Sequence, residues 1–307
     1  MSRRVSDRWS PGDVATSRLD ASGPGLAGTP RSLRSRLSVN GLTTVRWNLL
    51  EDVCGCHDAQ IDAVGLWRPK VLEFGEDRAV ELLKDSRLRV SSLSWIGGFT
   101  GNNGQTLPEA IREARETLHL AARLEADCVV VVSGSRSGHT LNHARRLLLE
   151  ALHQLNDLAD SLDIDLALQP MDLMFARDWT FLNSLDAAID ILALADHPRL
   201  KLAFDLYHLW QEPDLLELLP GLVPLISIVQ LSDWHDPPGS LNDRRLPGDG
   251  VIPFKPILES LLSSGYTGDF DMQVWSTELW QSDYHRLLAD CRRRFDKLLP
   301  ETASTLS

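Results

Sequence analysis

Polar and aromatic residues stand at the carboxyl ends of several short β-rich runs in this 307-residue chain. Gln169 closes the run Ile164–Gln169, and Asp205 closes Leu200–Asp205 with His208 three residues on. Gln230 lies in Ile226–Leu231, and Gln273 precedes Trp275 in Phe270–Trp275. A carboxylate and an imidazole can move protons near neutral pH; an amide has no protonation step there and can only hydrogen-bond or offer its oxygen. Trp67 and Trp95 end two further runs, Ala63–Trp67 and Arg89–Trp95, while Trp210 and Trp234 lie just past others. Flat aromatic faces suit the C–H faces of sugars and can wall a pocket from water. The alternative is that some of these rings cap a core. A polar loop over 234–250 follows the seventh run and carries Arg245 just before a Pro-Gly-Asp-Gly turn.

The elements that must position these residues follow from the pattern. The remaining runs are Leu37–Asn40 and Cys128–Ser133, and helical patterns such as Pro108–Leu124 and His139–Leu162 lie between runs. In the first of these helices Ile111, Ala114, Leu118 and Ala121 keep helical spacing. The run CVVVV at 128–132 is continuous rather than alternating, as a parallel strand covered on both faces must be. Eight strands alternating with helices over about 265 residues predict a single (β/α)8 TIM barrel. Its active face is the carboxyl end of the strands, where the residues named above fall.

Composition narrows the function. The net charge of −12 opposes nucleic-acid binding, which needs a basic surface. No apolar stretch approaches the roughly 18–20 residues that span a bilayer. Residues 1–36 carry seven Arg and three Asp, with many Ser, Gly and Pro and no helical or strand period. They predict a basic disordered extension, with the barrel over 37–300 and a short tail over 301–307. Cys54, Cys56, Cys128 and Cys291 have neither disulfide-scaffold nor zinc-knuckle spacing, which points to reduced thiols and a cytoplasmic setting.

The segments GLWRPK (65–70), SSLSWIGGFTG (91–101), GHTLNHARRLL (138–148), LALQPMD (166–172), FDLYHLWQ (204–211), VQLSD (229–233), RRLPGDGVIPF (244–254) and GYTGDFDMQVW (265–275) resemble, in order, the xylose-isomerase-like TIM barrels. That resemblance implies a sugar or sugar-phosphate isomerase or epimerase acting by metal-assisted proton transfer. It implies a divalent ion, Mn or Mg, held at Gln169, Asp205, Gln230 and Gln273, with the first and last also the two proton carriers. It places His208 and Arg245 on the substrate, beside Trp67, Trp95 and Trp275. The partner implied is a small sugar or sugar phosphate, and a homo-oligomer is allowed.

Two positions depart from the family pattern. Gln169 and Gln273 stand where the family has Glu, so the four positions carry −1 from Asp205 alone instead of −3. A mostly neutral donor set binds hard cations weakly, and two amides cannot pass a proton. The alternative to the isomerase is therefore a sugar-binding or scaffolding barrel that keeps the pocket without the acid–base pair. Asp172, Asp233 and Glu278 are the acids close enough in sequence to substitute, or else loop caps. His139 and His143, four apart on one helix face, are candidate substrate contacts or surface histidines.

Overall fold

The computed structural model describes residues 31–300. Eight parallel strands close into a barrel in chain order. They are β1 (Leu37–Asn40), β2 (Ala63–Trp67), β3 (Arg89–Gly97), β4 (Cys128–Val132), β5 (Asp165–Leu168), β6 (Leu200–Asp205), β7 (Ile226–Leu231) and β8 (Phe270–Met272). The helices outside are α1 (Leu49–Asp58), α2 (Arg68–Phe74), α3 (Glu76–Ser86), α4 (Leu107–Arg123) and α5 (Leu141–Ser161), then α6 (Leu185–Ala195), α7 (Leu206–Leu209), α8 (Leu215–Leu222), α9 (Phe254–Ser263) and α10 (Tyr284–Leu298). This is the TIM barrel expected from the alternation.

Caps fix where the helices start. Asn48 with Glu51, and Thr106 with Glu109, form reciprocal capping boxes at α1 and α4. Thr140, Ser184 and Asp283 each accept a backbone N–H at the starts of α5, α6 and α10.

The strands divide their side chains between two cores. Cys128, Val130, Ala167, Ala203 and Ile228 form a small cluster inside the barrel, with Trp95 packed against it. Their neighbours Val129, Val131, Leu166, Leu168 and Leu202 join the larger core under the helices. That alternation explains why β4 reads as a continuous apolar run: both faces are covered. The other side of the interior is polar, with Ser38 and Asn40 of β1 donating to Asp271 of β8 at 2.9 and 2.8 Å. Gly65 of β2 faces this group, and a Cβ there would lie 2.6 Å from the Asn40 amide.

The basic extension needs a corrected boundary. Residues 1–30 and the tail 301–307 lie outside the described residues. Residues Leu33–Arg36, by contrast, form a 3-10 turn under the barrel. Arg36 is buried, donates to the Gly268 carbonyl at 2.7 Å, and lies over the rings of Tyr266 and Phe270. Arg31 pairs with Asp269 at 3.2 Å. Arginines without an apolar period are anchored here by their partners, which the sequence pattern does not display.

Candidate functional site

Gln169, Asp205, Gln230 and Gln273 come together at the carboxyl ends of β5 to β8. Ladder bonds set the first and last: Gln169 N–H donates to the Val131 carbonyl at 2.9 Å and Gln273 N–H to Leu231 at 3.1 Å. The Gln169 amide then bridges the site, its Nε2 donating to Asp205 Oδ2 at 3.1 Å and to Gln230 Oε1 at 2.8 Å. Its partners fix that orientation, because a flipped amide would set oxygen against oxygen. Asp205 Oδ1 accepts the backbone N–H of Tyr207 at 3.0 Å, capping α7.

The centre of the group is Arg244. Its side chain is wholly buried and its Nη1 donates to Asp205 Oδ2 at 3.0 Å and to Ser232 Oγ at 3.2 Å. Its Nη2 lies 3.0 Å from His208 Nε2. The guanidinium is flanked by Tyr207 and Trp275, with ring centres 4.2 and 5.0 Å away. Burial pushes the Asp205 carboxyl up from its usual range while Arg244 pulls it back down. Burial, then the Arg244 charge, drives the His208 imidazolium far below its usual range, so the ring is neutral. His208 Nδ1 also accepts the Asp172 N–H at 3.2 Å. A neutral imidazole has one lone-pair nitrogen, so with Nδ1 accepting from Asp172 the ring proton sits on Nε2, which then accepts nothing from Arg244.

Aromatic rings continue from this centre. Trp275 lies 5.2 Å from Trp179, which lies 5.0 Å from Trp95. Phe175 packs on His208 at 4.7 Å. A cavity of about 410 Å³ opens beside the rings, with Trp95 and Trp179 on its wall and Asn102, Asn103, Gln105 and Asp178 among its polar groups.

The other sequence candidates take different places. Trp67 is half-buried against the core and is not one of these clustered rings. Arg245 points to the rim, where it pairs with Glu278 at 2.5 Å. The buried arginine is its neighbour. Adjacent residues of an extended segment face opposite ways, so an Arg-Arg pair hides which one enters the barrel. Asp233 accepts the backbone N–H groups of Trp234, Gly248, Gly250 and Ile252 at 2.8–3.0 Å, clamping the loop that carries Arg244. Asp172 caps a short turn through Met174 N–H. His139 and His143 meet edge to face with ring centres 4.7 Å apart, and His139 Nε2 lies 3.2 Å from the Thr100 carbonyl. Arg244, Trp179, Phe175 and Tyr207 were missed because loops or a turn deliver most of them.

The sequence matches the xylose isomerase-like TIM barrel family over residues 55–291. The chain belongs to that family. Within it, inosose isomerase of Halalkalibacterium halodurans is 23% identical over 266 residues, 83% of this chain and 91% of that protein. L-ribulose-5-phosphate 3-epimerase UlaE of Escherichia coli is 27% identical over 137 residues, and that match spans 44% of this chain and 45% of the epimerase. Among solved structures, SMc04130 of Sinorhizobium meliloti superposes with a TM-score of 0.81 at 28% identity, covering 86% of this chain and 98% of that one. A zinc-bound IolI protein shares the fold at a TM-score of 0.74 and 18% identity, covering 86% of this chain and 97% of its own.

The family positions implied for a divalent metal do not fit one in this chain. A cation there needs inward lone pairs, yet Gln169 turns its NH2 group inward and spends the Gln230 oxygen. Both oxygens of Asp205, the single carboxylate of the four, already accept hydrogen bonds, and one of them faces a guanidinium. A divalent ion would have to enter beside that fixed positive charge. Among the described residues no three His, Cys, Asp or Glu side chains are grouped to hold a metal.

Proposed function

We propose that this barrel binds an uncharged sugar or cyclic polyol at the carboxyl end of its strands, by recognition rather than by two-carboxylate proton transfer. One observation carries the reading: Gln230 Nε2, Trp275 Nε1, Arg244 Nε and Gln273 Oε1 are buried without a hydrogen-bond partner. Buried polar atoms are nearly always paired, and a polyhydroxylated ligand offers both donors and acceptors to such a set. The linked rings of Trp95, Trp179 and Trp275 supply the apolar face that a sugar ring needs. The cavity that Trp95 and Trp179 line is within the range that holds a small molecule.

Charge argues for a neutral ligand over a phosphate. Asp205 compensates Arg244, and Glu278 compensates Arg245. Neither arginine leaves surplus positive charge for an anion. Nothing at Gln169 or Gln273 can take a proton from carbon.

A second reading, turnover of such a sugar, is favoured by the match to inosose isomerase over most of both chains. One experiment separates the two. Free sugars, inososes and their phosphates are titrated calorimetrically, and any that bind are incubated in D2O and followed by NMR. Binding of an uncharged member without loss of a C–H signal is the expected result. Deuterium entering carbon would establish proton transfer and favour the second reading. Binding confined to phosphates would refute the ligand class.

A further inference from the structure

We propose that Arg244 is a permanent cation built into this site, taking over the role of a divalent metal and excluding one. The inference is independent of which ligand the barrel takes. It rests on three observations that meet at one point. First, the guanidinium pairs with Asp205, the single charged side chain left among the four converging positions. Their formal charges, +1 and −1, cancel. Second, Gln169 presents its NH2 group to Asp205 and Gln230, so this position donates where a metal requires a lone pair. With Glu at 169, the same atoms would set a carboxylate against Asp205. The substitution and the arginine therefore match each other. Third, the guanidinium is held through Nη1 by Asp205 and Ser232, and the rings of Tyr207 and Trp275 pack against it.

The chemistry of the two cations differs in ways that can be measured. A guanidinium stays charged at any physiological pH and cannot be removed by a chelator. It acts through fixed N–H directions instead of through vacant coordination positions. Here the Nε–H is buried and unpartnered, which leaves one such direction free for a ligand oxygen. Rebuilding a metal site would require two changes together: removing the guanidinium and restoring carboxylates at 169 and 273. The restored set would carry −3, a charge that favours a hard divalent ion.

The test uses the full chain and MnCl2 as the probe. After dialysis against EDTA, the unmodified protein is titrated with MnCl2 by calorimetry and melted with and without the ion. The same is done for Arg244→Met/Gln169→Glu/Gln273→Glu and for Gln169→Glu/Gln273→Glu with Arg244 kept. We expect no one-to-one Mn binding and no shift in melting temperature for the unmodified protein. The triple variant gains Mn affinity by at least about 100-fold, and the double variant gains much less because the guanidinium stays. One-to-one Mn binding by the unmodified protein that Asp205→Asn abolishes would overturn the proposal. So would equal gains in the double and triple variants. Should the triple variant fail to fold, the unmodified protein and Asp205→Asn decide by themselves.

Discussion

Arg244 Nη1 stands 3.0 Å from Asp205 Oδ2, and neither side chain is more than 1% exposed. Removing one partner of such a pair strands the other charge in a medium that cannot solvate it, which costs about 3–5 kcal/mol. Arg244→Met keeps much of the packing against Tyr207 and Trp275 while deleting the charge. It is expected to lower stability by that amount, measured by urea unfolding. Adding Asp205→Asn should recover a large part, since the stranded charge is then gone. A single-variant loss under about 1 kcal/mol would show that the pair is not buried in solution.

The glutamines at 169 and 273 are not equivalent. Gln169 Nε2 has two acceptors, whereas Gln273 Oε1 has no partner. Gln169→Glu exchanges a shared donor for an oxygen facing two oxygens and should cost about 2–3 kcal/mol at neutral pH. Gln273→Glu should cost less, because Arg244 lies close enough to approach its backbone carbonyl at 3.5 Å. Denaturant midpoints of the two single variants test the order. Equal losses, or a larger loss at 273, would contradict the hydrogen-bond assignment of Gln169.

Tryptophans on the carboxyl side of the barrel divide into two kinds. Trp179 links Trp95 to Trp275 and lines the cavity, whereas Trp67, also packed on the core, does neither. Trp179→Ala should weaken sugar binding by roughly 10- to 100-fold, from the loss of about 1.5–3 kcal/mol of apolar contact. Trp67→Ala should change stability more than affinity. Calorimetry with a bound sugar, beside melting curves of both variants, makes the comparison. Reversed effects would place the ligand nearer β2.

What was legible in the sequence follows from what repeats. Strands β1, β2, β6 and β7 occur where the β-rich runs fall, because each is a short apolar run closed by a polar residue or turn. The last run was cut short: β8 ends at Met272, although Gln273 N–H still bonds the Leu231 carbonyl. Gln169, Asp205, Gln230 and Gln273 were findable because a parallel barrel gathers its strand ends at one mouth. Arg244 was not. It reaches the site from a loop whose path is set by the Asp233 carboxylate and by bridges from 233 to 245 and from 243 to 276. No periodicity records such contacts, and the neighbouring Arg245 has the same chemistry in one dimension. Trp179 was hidden in the same way, between β5 and α6. The packed turn at Leu33–Arg36 depends on partners more than 200 residues away in the chain.

Inside the barrel, Asp271 accepts from Ser38 and Asn40, neither of which carries a charge. Burial pushes its carboxyl up to about 6 from the usual 3.8, with the two hydrogen bonds opposing the shift. A carboxyl whose folded value lies above its unfolded one holds its proton more tightly in the fold. Its contribution to stability is therefore complete below about 3.8 and is lost as pH rises through about 6. Two units correspond to at most about 3 kcal/mol, and less if the interior relaxes around the charge. Asp271→Asn keeps the volume and one acceptor but never ionises. The variant should thus gain on the unmodified protein as pH rises, trailing or equalling it near pH 4 and exceeding it near pH 8, in the sense that linkage requires. Melting temperatures of both proteins across that interval check the claim. A constant difference would mean that Asp271 titrates alike in the folded and unfolded chains, and an advantage for the variant confined to acid would reverse the sign of the argument.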